Sequence, residues 1–181
     1  MKLLFISLGC DKNLVDSEEM LGMLAADGHE IVDDEDEAEV IIVNTCCFIG
    51  DAKEESVNTI LEMAEKKKAG TCKVLIVTGC MAQRYKKEIS EEIPEVDAIL
   101  GTTSYGEISK AVKEAQAGRH FEEYKSIDFL PDISGKRMLT TGGHFASRKG
   151  VQFYGIGNGE SCIFAIYSLY LHKFLKCKYY E

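Results

Sequence analysis

Three cysteines stand at equivalent positions in the chain, each after an apolar run and before a helical pattern. They are Cys10 in SLGCDKN, Cys46 in VNTCCFI and Cys80 in VTGCMAQ. Neighbouring strands lie roughly 4.8 Å apart, so thiols at three neighbouring strand ends fall within about 10 Å. That reach suits one iron–sulfur cluster, and three thiolates on a four-iron cubane leave one iron without a protein ligand.

Local sequence around these cysteines favours the same chemistry but leaves alternatives open. Gly9 and Gly79 precede two of them and allow backbone N–H groups to approach a cluster, while a helix start after Cys80 favours thiolate. Alternatively, a cysteine that ends a buried strand simply packs as a small apolar residue. A tetrahedral zinc site is a third interpretation, although none of the four histidines stands beside a strand end as a fourth ligand.

The other four cysteines are expected to play different roles. Strand alternation turns Cys47 away from Cys46 and predicts a packing role, and Cys72 begins a strand at the opposite edge. Cys162 and Cys177 lie far along the chain, and no CxxC or CxxxCxxC occurs anywhere.

Several polar residues near the three cysteines have two interpretations. They either start helices and face solvent, or form hydrogen bonds around a bound group. These residues are Asn13, Asp16, Ser17, Asn44, Thr45, Gln83 and Arg84.

Alternating strands and helices predict an α/β fold with a parallel sheet between two helical layers. Strands are expected at 2–8, 29–32, 40–45, 73–78 and 97–100, with helices at 13–27, 51–68, 81–93 and from about 102 to 118. The predicted class is a flavodoxin-like three-layer domain whose five strands have the order 2-1-3-4-5. That order makes the three cysteine-bearing strands adjacent. The second helix is expected to bury Val57, Ile60, Leu61 and Ala64.

The composition of the chain limits the kinds of molecule that it can bind. The chain has 181 residues and a net charge of -9, which argues against a general nucleic-acid or anionic-membrane surface. The short apolar start is interrupted at once by Asp11 and Lys12, so we expect no signal peptide and a cytoplasmic, reducing compartment. The acids of residues 33–39 are expected to form a solvated loop, with a cation site as the alternative.

The pattern predicts one domain at 1–118, a linker at 119–146 and an irregular tail at 147–181. Residues 151–181 hold eight of the sixteen aromatic residues, and Cys162–Leu175 is an apolar stretch of about helix length without a partner element. We expect this tail to be a frame-shifted or degenerate remnant, or an assembly artefact. The alternatives are a disordered tail, docking on the domain, or an interface.

At three stretches the sequence resembles the N-terminal domain of the radical-SAM methylthiotransferases. SLGCDKNLVDSE, VNTCCFIGDAKEES and TGCMAQR stand in that family's order and spacing, over about residues 1–145. The first stretch looks most like the RimO branch, which modifies an aspartate of a small-subunit ribosomal protein. The branch that modifies tRNA is the alternative.

The resemblance implies that Cys10, Cys46 and Cys80 ligate an auxiliary 4Fe–4S cluster whose open iron carries the transferred sulfur. It also implies a sulfur donor and a radical-SAM core, in cis or in trans, that supplies S-adenosylmethionine chemistry. TTGGHFA resembles the linker before that core, yet residues 147–181 lack its CxxxCxxC. We therefore expect a truncated form that is inactive alone, with a stand-alone iron–sulfur or persulfide carrier and a metal-free α/β domain as alternatives.

Overall fold

A computed structural model describes residues 1–47 and 50–125 of the chain. It contains one sheet of six parallel strands in the order β2-β1-β3-β4-β5-β6. The strands are β1 (Lys2–Ser7), β2 (Glu30–Val32), β3 (Val40–Thr45), β4 (Val74–Gly79), β5 (Ala98–Gly101) and β6 (Phe121–Glu123). The helices are α1 (Asp11–Ala26), α2 (Gly50–Lys68), α3 (Cys80–Arg84), α4 (Lys86–Glu92) and α5 (Ile108–Gln116), with a 3-10 turn at Tyr105–Glu107.

Helices cover both faces of the sheet and create two apolar cores. Alternate residues of β1, β3 and β4 point to opposite faces, as a period of two requires. One face packs against α2, α3 and α4, and the other packs against α1 and α5. β3 and β4 are buried along their whole length, which explains their continuous apolar sequence.

The predicted α/β class and the strand order 2-1-3-4-5 are confirmed, but the sheet has six strands rather than five. The extra strand, β6, pairs with β5 at residues Ala98–Leu100. It has three residues, FEE, and only Phe121 packs against a core. A strand this short at a sheet edge is built from backbone pairing and leaves almost no side-chain pattern to predict it from.

The prediction for the buried face of α2 is half wrong. Ile60 and Ala64 are buried as expected, but Val57 and Leu61 are 36% and 46% exposed. The helix instead turns Ser56, Thr59 and Met63 inward. The helix has this orientation because the buried Ser56 forms hydrogen bonds with the backbone of Cys46.

The predicted helix at 81–93 is two helices, α3 and α4. Tyr85 separates them with φ -118° and ψ 31°, outside the helical region. Its ring packs against the core that α2, α3 and α4 share. This break sets the short helix that begins at Cys80 apart from the longer surface helix.

Several predictions fall outside the described residues. These are the tail at 147–181 with Cys162 and Cys177, and most of the linker at 119–146. The domain boundaries therefore stay predictions.

Candidate metal centre

The carboxyl ends of β1, β3 and β4 bring Cys10, Cys46 and Cys80 to one edge of the sheet. These strands are adjacent, with β3 between the other two. Cys10 is exposed at the start of α1, Cys46 is buried, and Cys80 is half-buried as the first residue of α3. All three are free thiols. The predicted meeting of three cysteine-bearing strand ends is thus present in the fold.

Gly9 lets the end of β1 come close to Cys46. Its φ is +95°, and a Cβ atom placed there would lie 2.6 Å from Cys46 Sγ and 2.2 Å from Cys46 Cβ. A side chain at this position would fill the space beside the thiol. The missing side chain of Gly9 therefore keeps the exposed turn before Cys10 in contact with the buried Cys46.

Ser56 holds the backbone of Cys46 from the neighbouring helix. Its hydroxyl donates to the Cys46 carbonyl at 2.8 Å and accepts from the Cys46 N–H at 3.1 Å. Ser56 is fully buried on α2. Ser56 was not predicted from the sequence as a site residue, although a serine between the apolar positions of the helix indicated a polar contact there.

Asn13 connects the ends of all three cysteine-bearing strands. Its side-chain amide donates to the carbonyls of Leu8 and Thr45, both at 2.9 Å. Its Oδ1 lies 3.9 Å from Cys80 Sγ. Asn13 is fully buried, so these groups have no water to replace the bonds. One side chain in the first turn of α1 therefore sets the spacing between three strand ends.

A second asparagine extends this network below the cysteines. Asn44 donates to the Asn13 carbonyl at 3.0 Å and to Ser17 Oγ at 2.9 Å. Its Oδ1 is buried and has no hydrogen-bond partner among the described residues. Asn13, Ser17 and Asn44 thus form hydrogen bonds with the backbone and with one another, and their bonding to a bound group stays a prediction. The N-cap of α1 is Cys10.

Thr45 and Gly79 hold β3 and β4 together at the same edge. Thr45 Oγ1 donates to the Thr78 carbonyl at 2.5 Å and lies 3.4 Å from the Ala82 N–H, which donates to it. Gly79 has φ +97°, and a Cβ there would lie 2.4 Å from the Thr45 carbonyl oxygen. The backbone that delivers Cys80 therefore tolerates only glycine before it.

A charged pair lies beside Cys80. The Lys12 ammonium contacts the Asp16 carboxylate and donates to Thr102 Oγ1 at 2.6 Å. Burial raises the pKa of Asp16 to about 6, against the opposing effect of Lys12. Burial also raises the pKa of the Cys80 thiol, whereas the Thr102 hydrogen bond and the Lys12 charge lower it. Lys12 and Thr102 were not singled out as site residues from the sequence.

The remaining candidates lie elsewhere or face solvent. Cys47 is half-buried against a core, and buried Cys72 donates to the Val74 carbonyl at the opposite edge of the sheet. Arg84 is exposed and Gln83 is half-buried. The acidic loop at 33–39 forms ion pairs with Lys2, Lys66 and Lys73.

The residues present fit a soft metal centre in their donor type, and all three cysteines lie at one edge of the sheet. Three free thiols share one sheet edge, and two glycines leave the backbone bare beside them. Within residues 1–47 and 50–125, however, no three His, Cys, Asp or Glu side chains are grouped so that they could hold a metal ion. The fold thus sets the strand ends, while the thiols themselves do not converge on one point.

The architecture defines a class: a three-layer α/β domain with cysteines along the carboxyl edge of a parallel sheet. The chain belongs to the uncharacterized protein family UPF0004, which matches residues 2–101. Similar proteins confirm the predicted resemblance to the N-terminal domain of the methylthiotransferases. None of the helices in the described part is long and apolar enough to cross a membrane.

Several curated relatives carry one name, ribosomal protein uS12 methylthiotransferase RimO. The protein from Lachnoclostridium phytofermentans is 59% identical over 149 residues, which are 82% of this chain and 34% of that protein. The one from Clostridioides difficile is 45% identical over 166 residues, covering 92% of this chain and 36% of the relative. The Geobacter sulfurreducens protein is 55% identical over 113 residues, or 62% and 25% of the two chains. The matched part of the chain therefore spans between a quarter and about a third of the length of these relatives.

Proposed function

We propose that this chain is the cluster-binding N-terminal part of a methylthiotransferase that acts on the small-subunit ribosomal protein uS12. The observation that carries the proposal is the position of Cys10, Cys46 and Cys80 at the carboxyl ends of three adjacent strands. The relatives are named for methylthio transfer to uS12, which suggests the substrate. Action on a ribosomal protein also fits the predicted cytoplasmic location.

In this proposal the three cysteine thiolates hold a 4Fe–4S cluster. Such a cluster, when bound by three thiolates, offers one iron without a protein ligand to a sulfur species. Asn13 holds the strand ends at a constant spacing, and Ser56 fixes the backbone of Cys46. Gly9 and Gly79 keep side chains away from the space beside the thiols.

The complete reaction needs further components in this proposal. A radical-SAM core, in cis or in trans, supplies the S-adenosylmethionine chemistry, and a sulfur donor supplies the sulfur. Within this chain, the cysteine edge receives and holds sulfur, while the substrate protein is modified with the help of that core.

Anaerobic reconstitution of the full chain with iron and sulfide tests the cluster. The parent is expected to bind about four irons per chain, as a 4Fe–4S cluster requires. Cys46→Ala should lose most of that iron, because it removes one of three ligands. Cys47→Ala is the matched control, since the neighbouring thiol packs against a core. Equal iron in Cys46→Ala and the parent would contradict the proposal.

A second experiment tests the transfer reaction. The reconstituted chain is mixed under anaerobic conditions with a separately produced radical-SAM half, S-adenosylmethionine, a sulfide donor, a low-potential reductant such as dithionite, and purified uS12. Mass spectrometry should show the added methylthio group on an aspartate of uS12. A loaded cluster without any product in this assay would instead favour the stand-alone carrier.

A further inference from the structure

Cys80 Sγ has two polar neighbours from distant parts of the chain. Thr102 Oγ1 lies at 3.8 Å, and Asn13 Oδ1 lies at 3.9 Å. Thr102 follows β5, the strand next to β4, so the fold brings it beside Cys80 from the side opposite β3. These two neighbours differ in what they can offer to the sulfur.

Asn13 can offer only an acceptor. Its Nδ2 uses both hydrogens in the bonds to the carbonyls of Leu8 and Thr45. These bonds fix the orientation of the amide, so that Oδ1 is the atom facing Cys80. A thiol can donate to this oxygen, but a thiolate bound to a metal gains no hydrogen bond from it.

Thr102 can offer a donor. The Lys12 ammonium lies 2.6 Å from Thr102 Oγ1 and 3.3 Å from the Thr102 carbonyl oxygen. An ammonium group only donates, so Thr102 Oγ1 accepts from Lys12 and keeps its own hydrogen for another partner. Cys80 Sγ is within reach of that hydrogen. Asp16 contacts the same ammonium and holds it in place.

We propose that Thr102, oriented by Lys12, is a positioning residue that donates a hydrogen bond to the Cys80 sulfur and raises the reduction potential of the bound cluster. This inference rests on the proposed function. Hydrogen bonds to cluster sulfurs are among the factors that set reduction potentials. A reduced cluster carries one more negative charge, so a directed hydroxyl and a nearby ammonium stabilise the reduced form more than the oxidised form.

The test compares midpoint potentials of the reconstituted full chain with those of its variants. Thr102→Val removes the hydroxyl at nearly constant size and should shift the potential to a more negative value. Thr102→Ser keeps the hydroxyl and should restore a potential near that of the parent. The matched control is Thr103→Val, whose hydroxyl donates to the Lys125 carbonyl instead. Iron content and the electron paramagnetic resonance spectrum of the reduced state are recorded for every variant.

Lys12 provides an independent second variant. Lys12→Met should also shift the potential negative, because it removes both the charge and the group that orients Thr102. If Thr102→Val keeps the circular dichroism spectrum of the parent but loads less iron, the positioning role is supported provided that Thr102→Ser restores loading.

Two results overturn the inference, and they differ in what they leave standing. If Thr102→Val binds the full amount of iron and has the same midpoint potential as Thr103→Val, this inference is wrong but the cluster proposal stands. A parent chain that takes up no iron removes the cluster proposal as well.

Discussion

The two edges of the sheet use polar residues in opposite ways. At the carboxyl edge, the uncharged side chains of Asn13, Asn44 and Thr45 are buried. Asn13 and Thr45 donate to backbone carbonyls of neighbouring strands, and Asn44 donates to the backbone carbonyl of Asn13 in α1. At the amino edge, lysines pair with carboxylates near solvent, as Lys66 does with Asp36 at 2.7 Å and Lys73 with Glu39 at 2.7 Å.

This difference indicates where the molecule tolerates change. A buried carbonyl that loses its donor has no water to replace it, which costs about 1–3 kcal/mol. An exposed ion pair contributes about 0–1 kcal/mol because water and salt screen it. Substitutions at the carboxyl edge are therefore expected to cost more stability, and the positions of the three cysteines depend on this edge.

The largest expected effect on stability comes from replacing Asn13, the asparagine that joins the strand ends. Asn13→Leu leaves the carbonyls of Leu8 and Thr45 without donors and should lower the free energy of unfolding by about 4 kcal/mol. Urea unfolding of the full chain measures this change. Lys66→Met at the amino edge is the control and should cost less than about 1 kcal/mol. Equal losses in the two variants would remove the contrast between the edges.

A pair of glycines sharpens the same comparison. Gly79 and Gly70 both have positive φ, +97° and +85°, but only Gly79 has atoms within 4 Å of an added Cβ. Gly79→Ala should cost about 3 kcal/mol, from backbone strain and overpacking together. Gly70→Ala should cost about 1 kcal/mol, from backbone strain alone. Thermal and urea unfolding of both variants give the difference, and a larger cost at Gly70 would contradict it.

Asp16 is a carboxylate at the carboxyl edge, paired with Lys12 but largely buried, so its effect on stability should depend on pH. Its folded pKa of about 6 lies above the ordinary 3.8. The folded chain therefore binds this proton more tightly, and the resulting stabilisation, present below about pH 4, is lost as the pH rises through about 6.

Asp16→Asn mimics the protonated side chain at every pH. Relative to the parent, this variant should gain roughly 2–3 kcal/mol of unfolding free energy between about pH 4 and pH 8. Urea unfolding at several pH values measures this gain. Asp33→Asn, in the exposed acidic loop, is the control and should show no comparable change. A difference between Asp16→Asn and the parent that stays constant with pH would contradict the burial of this carboxylate.

Local patterns predicted the strands and the meeting of their ends. The apolar runs that end before Cys46 and Cys80 became β3 and β4 because a strand buried on both faces needs a continuous apolar sequence. The alternation of strands and helices favoured a flavodoxin-like order for the first five strands without requiring it, and the structure has that order. That order alone makes the three cysteine-bearing strands neighbours, as the structure confirms.

The errors have a common physical origin. Val57 and Leu61 were expected to be buried because the apolar face of a helix usually packs against the core. Ser56 is buried instead, because it forms hydrogen bonds with the backbone of Cys46. Such a contact joins residues on different elements and leaves no periodic signal. β6 was missed for a similar reason, because its pairing with β5 is made by backbone atoms that every residue has.

For this protein the sequence by itself determined five of the six strands, most of the helices and the sheet edge at which the three cysteines lie. It could do so because burial and chain alternation are encoded in local apolar patterns. Tertiary structure alone decided that Asn13 joins three strand ends and that Thr102, far along the chain, lies beside Cys80. Those contacts depend on directed bonds between distant residues, which become possible only after the sheet has brought them together.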